Sequence, residues 1–324
     1  MTVDGILNIN KPEGQTSFSI IASLRKLTGE KRIGHAGTLD PLASGVLPVC
    51  LGRATRIIRF FLDVQKTYSA EIELGIATDT YDREGKIVEQ IDPGNVIEDE
   101  IRAVLNSFKG VVLQTPPLYS ALKYQGRRYY ELARAGKQIE IKPRTIEISQ
   151  LYLLSWEMPV LKIEVECSKG TYIRSLANDI GKALKCGGHL KSLVRTKYGS
   201  YDIGSAISLA DVEAAIKDDA FAVLLDPFDS PLYNLQTLLL SGEEEADVRY
   251  GRSIFAGAAA PVNYRYCRAY SMSGEFIAVL EFIPESNMWH PDVVFAPPPQ
   301  QKGCDPCECT AECGDCRNQD CSRS

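Results

Sequence analysis

Several absences narrow what this chain can be before any motif is read. No stretch approaches the ~18 consecutive apolar residues that a membrane helix needs, which sets a spanning role aside. The first thirty residues lack a basic start followed by an apolar run and a small-residue cleavage site, so no secretory signal is expected and a cytoplasmic location follows. Histidine is scarce, at three in 324 residues. No cysteine or acid stands at metal spacing around His35, so a zinc role for it is discounted. No internal repeat is evident. A surplus of positive charge is also missing: 36 basic residues against 42 acidic give −6, which at first argues against a nucleic-acid partner.

That average conceals an uneven distribution. Residues 23–59, 119–144 and 169–198 together hold 21 basic and 5 acidic residues, a net +16, whereas the rest of the chain holds 15 and 37, a net −22. Clustered Lys and Arg supply most of the sequence-independent affinity for a phosphate backbone. Solvated helix faces are the ordinary alternative for such charge runs. Apolar content of 44% and charged content of 24% fit a globular protein, and the length predicts one large domain plus a smaller one.

The most informative stretch is GHAGTLDPLASGVLP at 34–48. Asp40 precedes Pro41, whose ring disfavours the α conformation at the residue before it and so predicts an extended or turn geometry for the aspartate. Gly34, Gly37 and Gly45 can take backbone angles closed to other residues. A structural Asp-Pro turn is the bland alternative. Around this loop, the spacing predicts a strand at 6–9 and a helix carrying Ile20, Ile21, Leu24 and Leu27, capped by Thr16 or Ser17 and ended by Gly29. Further strands are expected at 46–51, 68–76, 146–154, 160–167 and 189–197. Helices are expected near 57–61, 101–108 and 173–184, with another beginning at Ser208 in a capping-box arrangement with Asp211. This irregular mixture predicts an α+β fold and not an alternating parallel sheet.

The block GHAGTLDPLASGVLPVCLGRATR at 34–56 closely resembles the signature of TruB-type tRNA pseudouridine synthases. KTYSA at 66–70, PPLYSALK at 116–123 with GRRY at 126–129, and CSKGTYIRSL at 167–176 agree in order. The resemblance implies the pseudouridine synthase fold, a curved mixed sheet with a central cleft, over residues 1–234. Within it, 119–144 is the implied RNA-gripping segment. A small β-rich, PUA-like domain is expected at 235–297, with a generic β domain as its alternative, and a cysteine-rich tail at 298–324.

The resemblance further implies that uridine in the tRNA T loop, at position 55, is isomerised to pseudouridine with base flipping, by a monomer that needs no cofactor. Asp40, Tyr68 and Arg174 are the implied catalytic residues, with Arg174 pairing Asp40. His35, Tyr68, Tyr172, Leu193 and Lys11 are the implied substrate contacts, joined by Lys123, Arg127 and Arg128 on the RNA backbone. The alternative from another class is a noncatalytic RNA-binding or tRNA-folding module. A glycosidase is disfavoured because sugar hydrolysis usually needs two carboxylates and the motif holds one. A guide-RNA-dependent relative is a further branch, against which the long basic segment favours a stand-alone enzyme.

Six of the ten cysteines lie between Cys304 and Cys321. Their Cys-x2-Cys pairs match tetrahedral zinc spacing, although the gap from Cys307 to Cys313 is shorter than most zinc ribbons use. A reduced tail without metal is the other reading.

Overall fold

The computed structural model describes residues 3–62, 64–94, 96–119, 141–257 and 265–296, with the backbone alone of two short strands at 123–124 and 127–128. The chain begins with β1 (Gly5–Lys11), buried on both faces, and α1 (Ser17–Thr28). Thr16 starts α1 by accepting the Ser19 N–H at 2.9 Å, and Gly29 closes it in the left-handed region at φ 71°. Then come β2 (Ile33–His35), β3 (Ala43–Leu51), a 3-10 turn over Gly52–Ile57, α2 (Ile58–Phe61) and β4 (Lys66–Leu74).

The strand expected at 68–76 stops earlier, at Leu74. Gly75 takes φ 92° and its N–H bonds the Gly187 carbonyl at 3.1 Å, which turns the chain into a separate pair, β5 (Ile76–Thr78) and β6 (Ile87–Gln90). There follow α3 (Glu98–Ser107), β7 (Gly110–Gln114), the pair β8 (Lys123–Tyr124) and β9 (Arg127–Arg128), β10 (Arg144–Glu157) and β11 (Val160–Cys167). The unit ends with α4 (Ile173–Ala183), β12 (Gly188–Tyr198), β13 (Tyr201–Asp202) and α5 (Leu209–Lys217), the last started by the Ser208–Asp211 capping box.

One mixed sheet organises these elements in the order β1-β3-β12-β4-β11-β10-β7, with β2 on β3 and β13 on β12. Only the β12–β3 pairing is parallel on that path. The topology is therefore α+β. Helices α3 and α4 cover one face, where Ile72, Ile163, Val165, Leu176, Ile180 and Leu190 form a core with Leu39 and Leu42 of the Asp40 loop. A second cluster joins β1 and β3 to α1 and α5 through Leu7, Ile9, Ile20, Leu24, Leu47 and Val212. Removing one such side chain to alanine costs about 2–5 kcal/mol, so the loop that carries Asp40 is tied to the core by both of its leucines.

The chain divides at Asn234/Leu235. The second unit contains β14 (Gln236–Leu239), α6 (Gly242–Arg249), β15 (Ile254–Phe255), β16 (Tyr266–Tyr270), β17 (Phe276–Ile283) and β18 (Met288–Val294), with sheet order β14-β16-β17-β18-β15. The acidic run 243–247 lies within α6. Ser241 and Glu244 cap it reciprocally, and Glu243, Glu244 and Glu245 sit in the first turn, where the helix dipole favours them. No helix among the described residues is long and apolar enough to cross a membrane.

Candidate active site

Asp40 is presented by a loop braced from beneath. Ser17 Oγ accepts the Leu39 N–H at 2.9 Å and donates to the Leu39 carbonyl at 3.2 Å, and the Gly14 N–H bonds the Pro41 carbonyl at 2.8 Å. Lys11 is fully buried, and its Nζ donates to the carbonyls of Gln15 at 2.6 Å, Pro12 at 2.9 Å and Pro41 at 3.5 Å. Two glycines permit the close approach of loop and sheet. Gly37 lies at φ 78°, with the space for a Cβ filled by the Tyr198 ring at 2.8 Å. Gly45 lies at φ 101°, where a Cβ would stand 2.3 Å from the Arg195 carbonyl oxygen. With Leu39 and Leu42 at 4% and 2% exposure, the Asp40 side chain between them stays 42% exposed. The loop is immobilised while its carboxylate remains reachable.

Arg174 meets that carboxylate from the first turn of α4. Its Nη2 lies 2.9 Å from Asp40 Oδ2 and donates to the Tyr119 carbonyl at 3.1 Å. Its Nη1 lies 3.4 Å from Asp82 Oδ2 and 3.4 Å from the Thr80 carbonyl. Arg174 and Asp82 side chains are 8% and 6% exposed, so the guanidinium is held between a buried acid behind it and a reachable acid in front. Asp82 is fixed in turn by the Thr80 hydroxyl at 2.6 Å and the Glu84 N–H at 3.1 Å, both donating to Oδ1. Gln114 sets the start of α4, accepting the Tyr172 N–H at 2.8 Å and donating to the Tyr172 carbonyl at 3.0 Å.

Tyr68 enters from β4 on the same face. It packs against the core that holds Leu39, Leu42 and Leu193. Burial pushes its phenol above the usual tyrosine range, Arg195 pulls the other way through charge and a side-chain hydrogen bond, and the Asp40 charge adds to the rise. Leu193 pairs with Ala70 of β4 and Ala43 of β3, which sets an apolar wall beside the loop. Tyr172 is half-buried at the head of α4. His35, at the end of β2, is held below its ordinary pKa by burial and by Arg195, so its ring is neutral at neutral pH. Its Nδ1 is buried and has no partner among the described residues.

Asp40, Arg174, Tyr68 and Leu193 thus share one locality, and His35, like Tyr68, feels the buried guanidinium of Arg195. Lys11 differs from its expected part as a substrate contact. Its ammonium is enclosed by three carbonyls, and burial lowers it from 10.5 to about 8 against the pull of Asp40, with Arg195 lowering it further. It supports the loop. The side chains of Lys123, Arg127 and Arg128, and the cysteines from Cys304 to Cys321, lie outside the described residues.

Three functional positions escaped sequence reasoning. Asp82 sits in an isolated bridge to Leu190 between two turns and carries no periodic signal. Ser17 reads as a cap candidate but instead braces Leu39. Arg195 counts as one more charge in a basic segment, yet is 1% exposed.

The site offers a carboxylate held by a guanidinium, a half-buried tyrosine and an apolar wall, a set suited to a nucleophile or base beside a flat, uncharged ring. Among the described residues no group of His, Cys, Asp and Glu could hold a metal ion. The nearby thiols are buried, with Cys167 pushed up to about 11 and Cys50 to about 12, which leaves both inert as nucleophiles at neutral pH.

The profile of the TruB family pseudouridylate synthase N-terminal domain matches residues 25–173, and that of the tRNA pseudouridylate synthase B C-terminal domain matches 174–233. A tRNA pseudouridine synthase B of Dehalococcoides mccartyi strain CBDB1 is 43% identical over 294 residues, covering 90% of this chain and 97% of its own. That of Clostridium kluyveri is 46% identical over 254 residues, covering 78% and 86%. Among solved structures, a Cbf5-Nop10-Gar1 complex contains a chain of TM-score 0.72 and 28% identity, covering 90% of this chain and 85% of that one. An H/ACA RNP bound to a substrate RNA containing 2'-deoxyuridine gives 0.71 and 26%, covering 91% and 86%.

Proposed function

The chain belongs to the TruB family of pseudouridylate synthases, and on that premise we propose that it isomerises uridine to pseudouridine in tRNA, at position 55 of the T loop. The observation that carries this is the Asp40–Arg174 contact at 2.9 Å, backed by buried Asp82 and open on its Asp40 side. An exposed acid on a mobile loop could not be aimed at one ribose carbon, whereas one held by a guanidinium that is itself anchored on Asp82 can.

The reaction breaks C1′–N1, turns the base and joins C1′ to C5. The C5 hydrogen leaves as a proton and N1 gains one, so atoms and oxidation level balance within the nucleotide. No redox cofactor is required by that balance. Asp40 acts at the sugar, as nucleophile at C1′ or base at C2′, and either route requires its carboxylate charged. The uridine must first leave its stack, and Tyr68 offers it an aromatic face, with Leu193 and Tyr172 as the remaining walls and neutral His35 beside the displaced nucleotide. Arg174 keeps Asp40 in place while the base rotates.

Three basic segments supply the phosphate contacts, Lys123, Arg127 and Arg128 among them. The second unit is a PUA-like β module in this proposal, with a minor share in grip. Between residues 235 and 296 the sequence has no lysine, and the arginines there bond within the unit: Arg249 to Glu245 and Glu275, Arg252 to Asp247, Arg265 to Glu281, and Arg268 to Thr237 and the Leu235 carbonyl. The enzyme works as a cytoplasmic monomer without a guide RNA, in keeping with its higher identity to the bacterial synthases than to the chains of the ribonucleoprotein complexes.

Incubation of purified protein with T-arm RNA and no other component tests the activity. Pseudouridine at the T-loop uridine is the expected product. Free uracil would indicate a glycosidase, and unmodified RNA with altered folding would indicate a noncatalytic module.

A further inference from the structure

Arg195 is the largest fully buried side chain among the described residues, a permanent cation at 1% exposure. A buried guanidinium is costly unless its donors are satisfied, so its partners show what the fold retains it for. Nε donates to the Val46 carbonyl at 2.7 Å and Nη2 to the Gly37 carbonyl at 3.1 Å, which ties together both ends of the loop that presents Asp40. The plane lies over the Tyr198 ring with Cζ 4.9 Å from its centre. Arg195 is also the register partner of Tyr68 across the β12–β4 pair, and directly opposed residues share a face of the sheet. Its parallel neighbour on β3 is Gly45, where any Cβ would collide with the Arg195 backbone.

We propose that Arg195 is the positioning residue of the reaction, fixing the Tyr68 hydroxyl relative to the Asp40 loop and stabilising negative charge on that oxygen during proton transfer. The proposal rests on the isomerase function above and adds a role for a residue that never touches RNA. Each charged or titratable neighbour bears on Tyr68 in a definite direction. Arg195 favours the phenolate, whereas Asp40 on the loop and Cys167 on β11 oppose it, as does burial. Lys11 and His35 are both shifted toward their neutral forms, chiefly by burial, and the Arg195 charge adds to the shift in each, so the guanidinium acts on these groups as well as on Tyr68.

The test uses the full-length protein with Arg195→Lys and Arg195→Met. A hydrogen bond to a charged group predicts a single-turnover rate about 10- to 100-fold lower in Arg195→Met, with tRNA affinity changed less than about threefold. Arg195→Lys keeps a cation but not the three-way fork, and should recover part of the rate. Carbon-13 at the tyrosine Cζ, assigned by its loss in Tyr68→Phe, provides a readout independent of turnover. Its titration should begin at higher pH in Arg195→Met than in the parent and Arg195→Lys proteins, because the group that favours phenolate is gone. An unchanged Tyr68 signal in folded Arg195→Met overturns the proposal even if activity falls. A shifted signal in a protein that forms no pseudouridine from any RNA would instead count against the function while leaving the Tyr68–Arg195 linkage established. Should Arg195→Met fail to fold, an Arg195→Lys protein with a parent-like Tyr68 titration and partial rate upholds the proposal, and one with neither overturns it.

Discussion

The Asp82→Asn substitution tests whether the fixed guanidinium, and not the lone carboxylate, defines the site. Asp82 Oδ2 lies 3.4 Å from Arg174 Nη1. At an effective dielectric of ~20 that separation corresponds to a gross attraction of about 5 kcal/mol. Desolvation offsets much of it in the intact pair, but removing one partner leaves a buried cation half-compensated, and such losses run to about 3–5 kcal/mol. Asparagine preserves the shape and the Oδ1 acceptor for the Thr80 hydroxyl and Glu84 N–H, so the turn itself should persist. Among the described residues Arg174 then keeps only Asp40 as a charged partner, and its aim loosens. A misplacement of roughly 1 Å at a reacting centre costs about a hundredfold. We expect single-turnover pseudouridine formation, followed by tritium release from [5-³H]uridine RNA, to fall about 10- to 100-fold with filter-binding affinity within about threefold of the parent. The midpoint of thermal unfolding should drop by roughly 6–20 °C, so assays belong well below it. If Asp82→Asn melts lower yet turns over at more than half the parent rate, Asp82 is scaffold alone and the clamp argument fails.

Three other outcomes follow from the same geometry. Asp40→Asn removes the charged atom that both chemical routes need while leaving the loop braces intact, so product should fall below detection with T-arm RNA still bound in a gel-shift assay. Detectable pseudouridine from this variant would assign the chemistry elsewhere. Lys11 titrates at about 8, so its protonated form, which fills the three carbonyls, is lost as pH rises through that value. Turnover should therefore fall by up to about tenfold per pH unit above 8, a limb that Lys11→Met abolishes. The sign of the stability effect is opposite. Between about 8 and 10.5 the unfolded chain binds more protons at this lysine than the folded one, so the contribution of Lys11 to stability rises with pH, opposite in direction to the expected loss of rate. For the tail, full-length protein and a version ending at Pro299 are expected to carry equal zinc by plasma emission, since the Cys307 to Cys313 gap is short for a ribbon. About one extra equivalent in the full-length protein would give the Cys304 to Cys321 segment a metal.

The parts of this fold that were legible in the sequence are those governed by local chemistry. Thr16, Gly29 and the Ser208–Asp211 box bound their helices because caps act within three or four residues. The Asp40 loop was legible because glycine and proline constrain the backbone wherever the loop is placed. What stayed hidden depends on long-range pairing. Bulges in β12 between Leu190 and Ser192, and again between Arg195 and Lys197, shift the alternation so that Leu190, Leu193, Arg195 and Tyr198 share one face. Strict period-2 reading of 189–197 assigns these side chains to both faces. The edge strand β7 escaped because Val111 and Leu113 face outward at 72% and 74% exposure, reversing the pattern expected of a buried strand.

The two buried arginines also change what the basic segments mean. Charge counting treats 169–198 as a phosphate-binding surface, yet Arg174 and Arg195 are 7% and 1% exposed, and Lys191 lies 3.4 Å from Glu73. A buried guanidinium releases no counterion when RNA docks, so these residues add little to salt-dependent affinity. Their placement explains why the basic segment and the reactive loop coincide. β12 carries Arg195 under the loop and α4 carries Arg174 over it, so the segment is basic partly because two cations are built into the chemistry, one to aim the carboxylate and one to support the phenol. Affinity for tRNA then falls to the surface lysines and arginines of all three segments, and catalysis to an internal frame that the overall charge of −6 conceals.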